Sequence, residues 1–246
     1  MTKLRRSMTI RCLFFGVLLF AGTSRAQTRP AIVEQLAKTY GLDSYGQIEA
    51  LRYTFNLELP ALNVHLSRSW EWEPKTGRVS YEAKDKDGKP VKVTYLRSQV
   101  NSAPAKVKDE IEPGFVNDNY WFIFPFHVYW DTSAIVEEKD KQKLPLEKGT
   151  AKLVSVKYPM EVGGYTPGDT WDLYVGADGK VEQFVYHRGG PQKPSNVTTT
   201  WAGYKKAGPL LVSTDHRGTA DGKSARIFFT NVAVKLAGSD TWMDAK

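Results

Sequence analysis

The sequence predicts a mainly β (α+β) fold: an antiparallel incomplete β-barrel, or strongly curved meander sheet, with a few short helices as lid or plug. Three observations predict it. Apolar and polar residues alternate in a succession of segments divided by turn residues. Helical spacing is confined to short stretches. Residues 120–130, Tyr-Trp-Phe-Ile-Phe-Pro-Phe-His-Val-Tyr-Trp, hold seven aromatic side chains in eleven positions. So much ring surface has to be buried in a core or pressed against an apolar ligand. The run is too short to cross a bilayer, which takes about 20 apolar residues, and Pro125 interrupts it.

The elements follow in order. Pro30 suits a first helical turn, and Ile32, Val33, Leu36, Ala37 and Tyr40 recur at helical spacing until Gly41 ends them. Asp43 or Ser44 can cap a second short turn through Leu51. The period then changes to two. Leu51, Tyr53, Phe55, Leu57 and Leu59 make the buried set of a first strand. After Pro60-Ala61, Val64, Leu66, Arg68, Trp70 and Trp72 share a face of a second strand, opposite His65, Glu71 and Glu73. Pro74-Lys75-Thr76-Gly77 and Asp87-Gly88 turn the chain into a third strand (Val79, Tyr81, Ala83) and a fourth (Val91, Val93, Tyr95). A meander of this kind relieves its open edges by curling.

In the middle, 103–112 reads as a helix stopped by Pro113-Gly114, followed by the aromatic run and a charged loop over 137–148. Strands resume at 153–158. Tyr165-Thr166-Pro167-Gly168-Asp169 has the composition of a type II turn ahead of Trp171, Leu173 and Val175. Asp178-Gly179 leads to 181–187, two further strands are expected near 198–203 and 210–214, and a long one closes the chain over 225–236.

Composition bounds location and partners. Lys3, Arg5, Arg6 and Arg11 precede an apolar core of modest length, and Ser24-Arg25-Ala26 offers small residues at −3 and −1. That is the layout of a secretory signal peptide. Residues 1–26 carry five of the 34 basic residues and none of the 27 acidic ones, leaving 29 against 27 and a net charge of +2. The high pI therefore belongs largely to the leader, and no nucleic-acid partner is expected. Cys12, the one cysteine, falls within the leader and away from the position a lipoprotein cleavage site requires. The mature chain has neither disulfides nor thiol chemistry, so its core must stabilise it. The expected location is periplasmic or secreted.

An N-terminal helix, a β meander, a helical and aromatic insertion, and a return meander ending in Ile227-Phe-Phe-Thr-Asn-Val-Ala-Val234 resemble the LolA/LolB type of periplasmic lipoprotein carriers. Trp70-Glu-Trp-Glu-Pro-Lys-Thr-Gly77, Asn117-Asp-Asn-Tyr-Trp121 with Phe124-Pro-Phe-His127, and Gly163-Gly-Tyr-Thr-Pro-Gly-Asp169 are similar to an uncharacterised family of bacterial exported proteins. The resemblance implies a single half-barrel domain over 27–246, lidded by helices. It also implies an apolar cavity for a lipid or lipid-modified ligand, no enzymatic activity, no cofactor, and peripheral contact with envelope membranes.

On that expectation the cavity residues are Trp70, Trp72, Trp121, Phe122, Phe124, Phe126, Trp130 and Arg68. An arginine on an inward face needs a partner, either a ligand's carboxylate or phosphate or a carboxylate of the protein. His127 and Asp131, at i and i+4, would share a helix face, as a structural pair or as base and orienter. The four histidines, His65, His127, His187 and His216, follow no metal-ligand spacing. Two other functions stay open. Glu71 and Glu73 beside tryptophans are compatible in kind with a secreted hydrolase acting on an envelope polymer, although the rings point to the opposite face. A structural module, with the aromatic run as core only, is the third reading.

Overall fold

The computed structural model describes residues 29–161, 167–190 and 193–246. The expected signal peptide and Tyr165-Thr166 of the expected turn lie outside the described residues. Helix α1 (Ala31–Thr39) buries Ile32, Val33, Leu36 and Ala37, ends at Tyr40, and turns at Gly41 (φ 106°) into α2 (Leu42–Tyr45). A side chain at Gly41 would strike the Pro209 carbonyl at 2.6 Å, so glycine is needed for close approach as well as for φ. The first meander follows: β1 (Ile48–Leu59), β2 (Val64–Glu73), β3 (Arg78–Lys84) and β4 (Pro90–Leu96).

The expected stop at Pro113-Gly114 does not occur. Helix α3 (Glu112–Trp130) runs through both residues, preceded by a π-helical turn at Val107–Ile111. Pro113 lies at the junction of this turn with α3, where the widened turn ahead of it absorbs the hydrogen bond its missing N–H cannot make. The aromatic run is the second half of this helix. Pro125 kinks it rather than ending it, and the irregularity falls at Ile123 (φ −127°, ψ 32°).

A second correction concerns 137–148, expected as a charged loop. Its first part belongs to β5 (Ile135–Lys143). Every residue from Glu137 to Lys143 is exposed, because β5 is an edge strand; charge there discourages pairing with other chains. The return meander continues through β6 (Thr150–Lys157), β7 (Thr170–Val175), β8 (Val181–Arg188) and β9 (Ser195–Thr200). A small hairpin, β10 (Lys205–Ala207) with β11 (Leu210–Val212), precedes β12 (Asp215–Ala220), β13 (Lys223–Leu236) and β14 (Trp242–Asp244). Strand β12 was not expected from the sequence, and β9 begins earlier than expected.

The large sheet is antiparallel, in the order β4-β3-β2-β1-β13-β12-β9-β8-β7-β6-β5, with β14 added beside β13. It is curved and unclosed, an incomplete barrel with β4 and β5 as its edges. Helix α3 is apolar on nearly every side, as a helix must be when protein surrounds it. Its rings meet those of one strand after another. Phe115 packs on Trp70 and Trp72 of β2 at 5.5 and 5.8 Å between centroids, and Phe122 stacks on Tyr53 of β1 at 4.3 Å and meets Phe229 of β13 at 4.8 Å. Trp121 meets Phe184 of β8 at 5.0 Å, and Phe124 stacks on Trp171 of β7 at 4.2 Å. The helix thus crosses the concave face from β2 to β7 and forms the centre of the core.

Candidate ligand-binding cleft

The inward alternation of β2 is only half buried toward its start. Leu66 and Arg68 are partly exposed, whereas Trp70 and Trp72 are buried. Register places Trp70 opposite Tyr81, Arg68 opposite Ala83, and Ala83 opposite Val91. Against this face lies the chain leading into α3, with Lys106, Glu110, Ile111 and Gly114. Between the two is a cleft of about 540 Å³, walled by Leu66, Trp70, Tyr81, Val91 and Ile111, floored by Arg68, and rimmed by Lys84, Asp85, Lys86, Lys106 and Glu110.

Arg68 is partnered inside the protein. Its Nε and Nη2 donate to the two oxygens of Asp118 at 2.8 and 2.5 Å. The same carboxylate accepts Trp70 Nε1 at 2.8 Å and Asn117 Nδ2 at 3.0 Å. Asp118 is fully buried on α3 while Arg68 keeps 19% of its side-chain surface exposed. Burial pushes the Asp118 carboxyl above its ordinary range, against the pull of Arg68 and the other donors. Four donors on one buried carboxylate tie β2 to α3 and fix the guanidinium plane.

Two further polar clusters flank the helix. Glu112, also buried, accepts Tyr95 Oη at 2.7 Å and Arg97 Nε at 2.9 Å. At the other end, Asp131 accepts the hydroxyls of Tyr120 and Tyr158 at 2.7 and 2.8 Å, with His127 Nδ1 at 3.7 Å. Burial works to raise the Asp131 carboxyl, but His127 and the two hydroxyls outweigh it and hold the group below its usual range. His127 Nε2 bonds Asn119 Oδ1 at 2.8 Å, and its ring stacks on Tyr120 at 3.8 Å.

Of the expected cavity residues, Arg68 and Trp70 line the cleft together. Trp72 lies behind them against Phe115. Trp121, Phe122, Phe124 and Phe126 are buried along α3, and Trp130 is half-buried beside Tyr45, 4.7 Å between ring centroids. Asp118, Gly114, Tyr81 and the three rim lysines were not anticipated. The polar triplet at 117–119, set within an otherwise apolar helix, was the signal available for Asp118. Glu71 is exposed on the outer side of β2, and Glu73 hydrogen-bonds Thr76. No group of histidines and carboxylates able to hold a metal occurs among the described residues.

Three solved structures are similar to this chain. One is a DUF1329 family protein from Desulfovibrio piger (10% identity, 85% of this chain and 94% of that one, TM-score 0.46). Another is a domain assigned to outer-membrane lipoprotein sorting from Vibrio parahaemolyticus (10%, 85% and 95%, 0.42). A third is a LolA superfamily protein from Nitrosomonas europaea (5%, 82% and 90%, 0.43). No protein-family model and no curated protein matches the sequence.

Proposed function

We propose that the protein is an exported cell-envelope protein that holds an apolar or amphipathic, lipid-like ligand in its half-barrel and does no chemistry on it. The observation that carries this reading is the cleft: an apolar strip of Leu66, Trp70, Tyr81, Val91 and Ile111 set among charged residues, a volume of about 540 Å³ within the span of small-molecule sites, and an open side between the sheet and the entry to α3. Arg68 and Trp70 contact the ligand directly. Trp72 lies behind them, and Trp121, Phe122, Phe124, Phe126 and Trp130, packed along α3 away from the cleft, would meet the ligand only where a longer chain opens the packing around the helix. About ten buried methylenes would contribute roughly 8 kcal/mol, on the scale of the cost of association. The leader read from the sequence places this activity in the periplasm or outside the cell. Among the described residues no helix is long and apolar enough to cross a membrane.

The test is co-purification. Organic extracts of the purified protein should contain a stoichiometric lipid by mass spectrometry, and the delipidated protein should take up a fluorescent fatty acid. Val91→Trp, which fills the cleft from the exposed edge strand, should abolish uptake while the protein stays folded. Clean extracts together with no uptake would overturn the reading.

A further inference from the structure

We infer that the cleft selects an anionic head group, a carboxylate or phosphate, which the free Nη1 of Arg68 binds at the floor and Lys84, Lys86 and Lys106 attract at the rim. The inference rests on the proposed ligand class and adds to it the chemistry of the head.

Asp118 takes Nε and Nη2, and no hydrogen bond to the described residues uses Nη1. The guanidinium is therefore half spent: one edge is fixed by a buried carboxylate, and the remaining donors belong to a side chain that lines the cleft. Gly114 makes this placement possible. A Cβ at that position would lie 3.1 Å from Nη1 and 3.5 Å from Cζ, so a larger residue would press on the guanidinium from the helix side. A planar donor fixed in this way is pre-organised for an oxyanion and loses little freedom on binding it.

The charges around it point the same way. The Arg68–Asp118 pair cancels, leaving Lys84, Lys86 and Lys106 against Asp85 and Glu110 at the rim. Asp85 is turned into its own loop, where Oδ1 accepts the backbone N–H of Asp87 and of Lys89, each at 2.9 Å. All three lysines are exposed, so they would steer and hold a mobile anion without the desolvation cost of a buried site.

The experiment is isothermal titration of the delipidated full mature chain with decanoate, decyl phosphate and decanol at pH 8, each below its aggregation concentration. Both anions should bind about tenfold or more tightly than the alcohol, the scale of one charge-assisted hydrogen bond. The ratio of the two anions separates a carboxylate head from a phosphate head. Arg68→Gln should remove the preference for anions over the alcohol. The triple variant Lys84→Gln/Lys86→Gln/Lys106→Gln, confined to exposed positions, should lower it several-fold and weaken its dependence on salt. Equal binding of alcohol and anions by the wild type would overturn the head-group inference and leave the apolar cleft standing. Binding of none of the three would remove the underlying reading as well. If Arg68→Gln fails to fold, the lysine variant and the wild-type alcohol comparison still decide the matter.

Discussion

Arg68 and Asp118 are fifty residues apart in sequence and meet as a two-pronged ion pair, with the carboxylate fully buried and the guanidinium partly in water. The pair fastens strand β2 to helix α3 at the floor of the cleft. A buried carboxylate left without its cation is far more costly than an absent pair. Arg68→Met should therefore lower unfolding free energy by about 3–5 kcal/mol, whereas the double variant Arg68→Met/Asp118→Leu should recover much of that loss. Urea denaturation of both variants provides the check. A double variant no more stable than the single one would show that the pair itself, rather than the unpaired charge, dominates.

The aromatic half of α3 makes a separate prediction. Trp121 is 6% exposed and touches the rings of Trp171, Phe184 and Tyr186 at 4.9, 5.0 and 5.7 Å. Trp121→Ala should cost about 3–5 kcal/mol, the value for a large ring lost from a packed site. If Trp121 instead faces ligand space for part of the time, the loss will be smaller in delipidated protein and ligand affinity will fall. Measuring both in one variant separates the two.

These residues also show what the sequence reveals and what it conceals. Strand alternation is a local signal, so β1 to β4 and the inward set Val64, Leu66, Arg68, Trp70 and Trp72 are readable directly. Proline and glycine are ambiguous signals. Pro113-Gly114 reads as a stop, yet tertiary burial carries α3 through both residues, because the π-helical turn ahead absorbs the proline and Gly114 is needed where Arg68 approaches. Likewise Glu137–Lys143 has the composition of a loop and the geometry of an edge strand, since pairing with β6 is a long-range fact. The cleft needs two distant segments at once. Trp70 and Arg68 could be named from their own strand; Asp118 had only the polar triplet 117–119 as its sign, and Ile111 and Lys106 had none.

Close backbone approach makes Gly218 a sensitive position. It sits opposite Thr199 in the β12–β9 pairing, and a Cβ there would lie 2.0 Å from the Thr198 carbonyl oxygen. Neither strand can yield without losing ladder hydrogen bonds. Gly218→Ala should destabilise by about 1–3 kcal/mol, the range for overpacking. Gly222→Ala, with nothing within 4 Å but φ at 77°, tests conformational strain alone. A thermal melt of the two side by side distinguishes steric crowding from backbone strain.

The acid limb of stability should depend on His216. Its ring is fully buried, stacked on Trp201 at 4.3 Å and edge-on to Phe184 and Phe229, with Nε2 on Ser213 Oγ at 3.0 Å and no partner for Nδ1 among the described residues. Burial pushes its pKa down to about 3 from the ordinary 6.5, with the neighbouring Asp215 pulling weakly the other way. The unfolded chain therefore binds a proton that the folded chain refuses. The neutral ring's contribution is present in full above about pH 6.5 and drains away as pH falls toward 3, by up to about 1.4 kcal/mol for each pH unit. His216→Phe keeps an aromatic ring in an aromatic site and removes the proton. It should flatten the dependence of stability on pH between 6.5 and 4 while leaving the lower loss, from carboxylates such as Asp131 and Asp215 whose pKa values are depressed, in place. Denaturation midpoints across that range decide it: an unchanged slope in the variant would assign the acid sensitivity to the carboxylates alone.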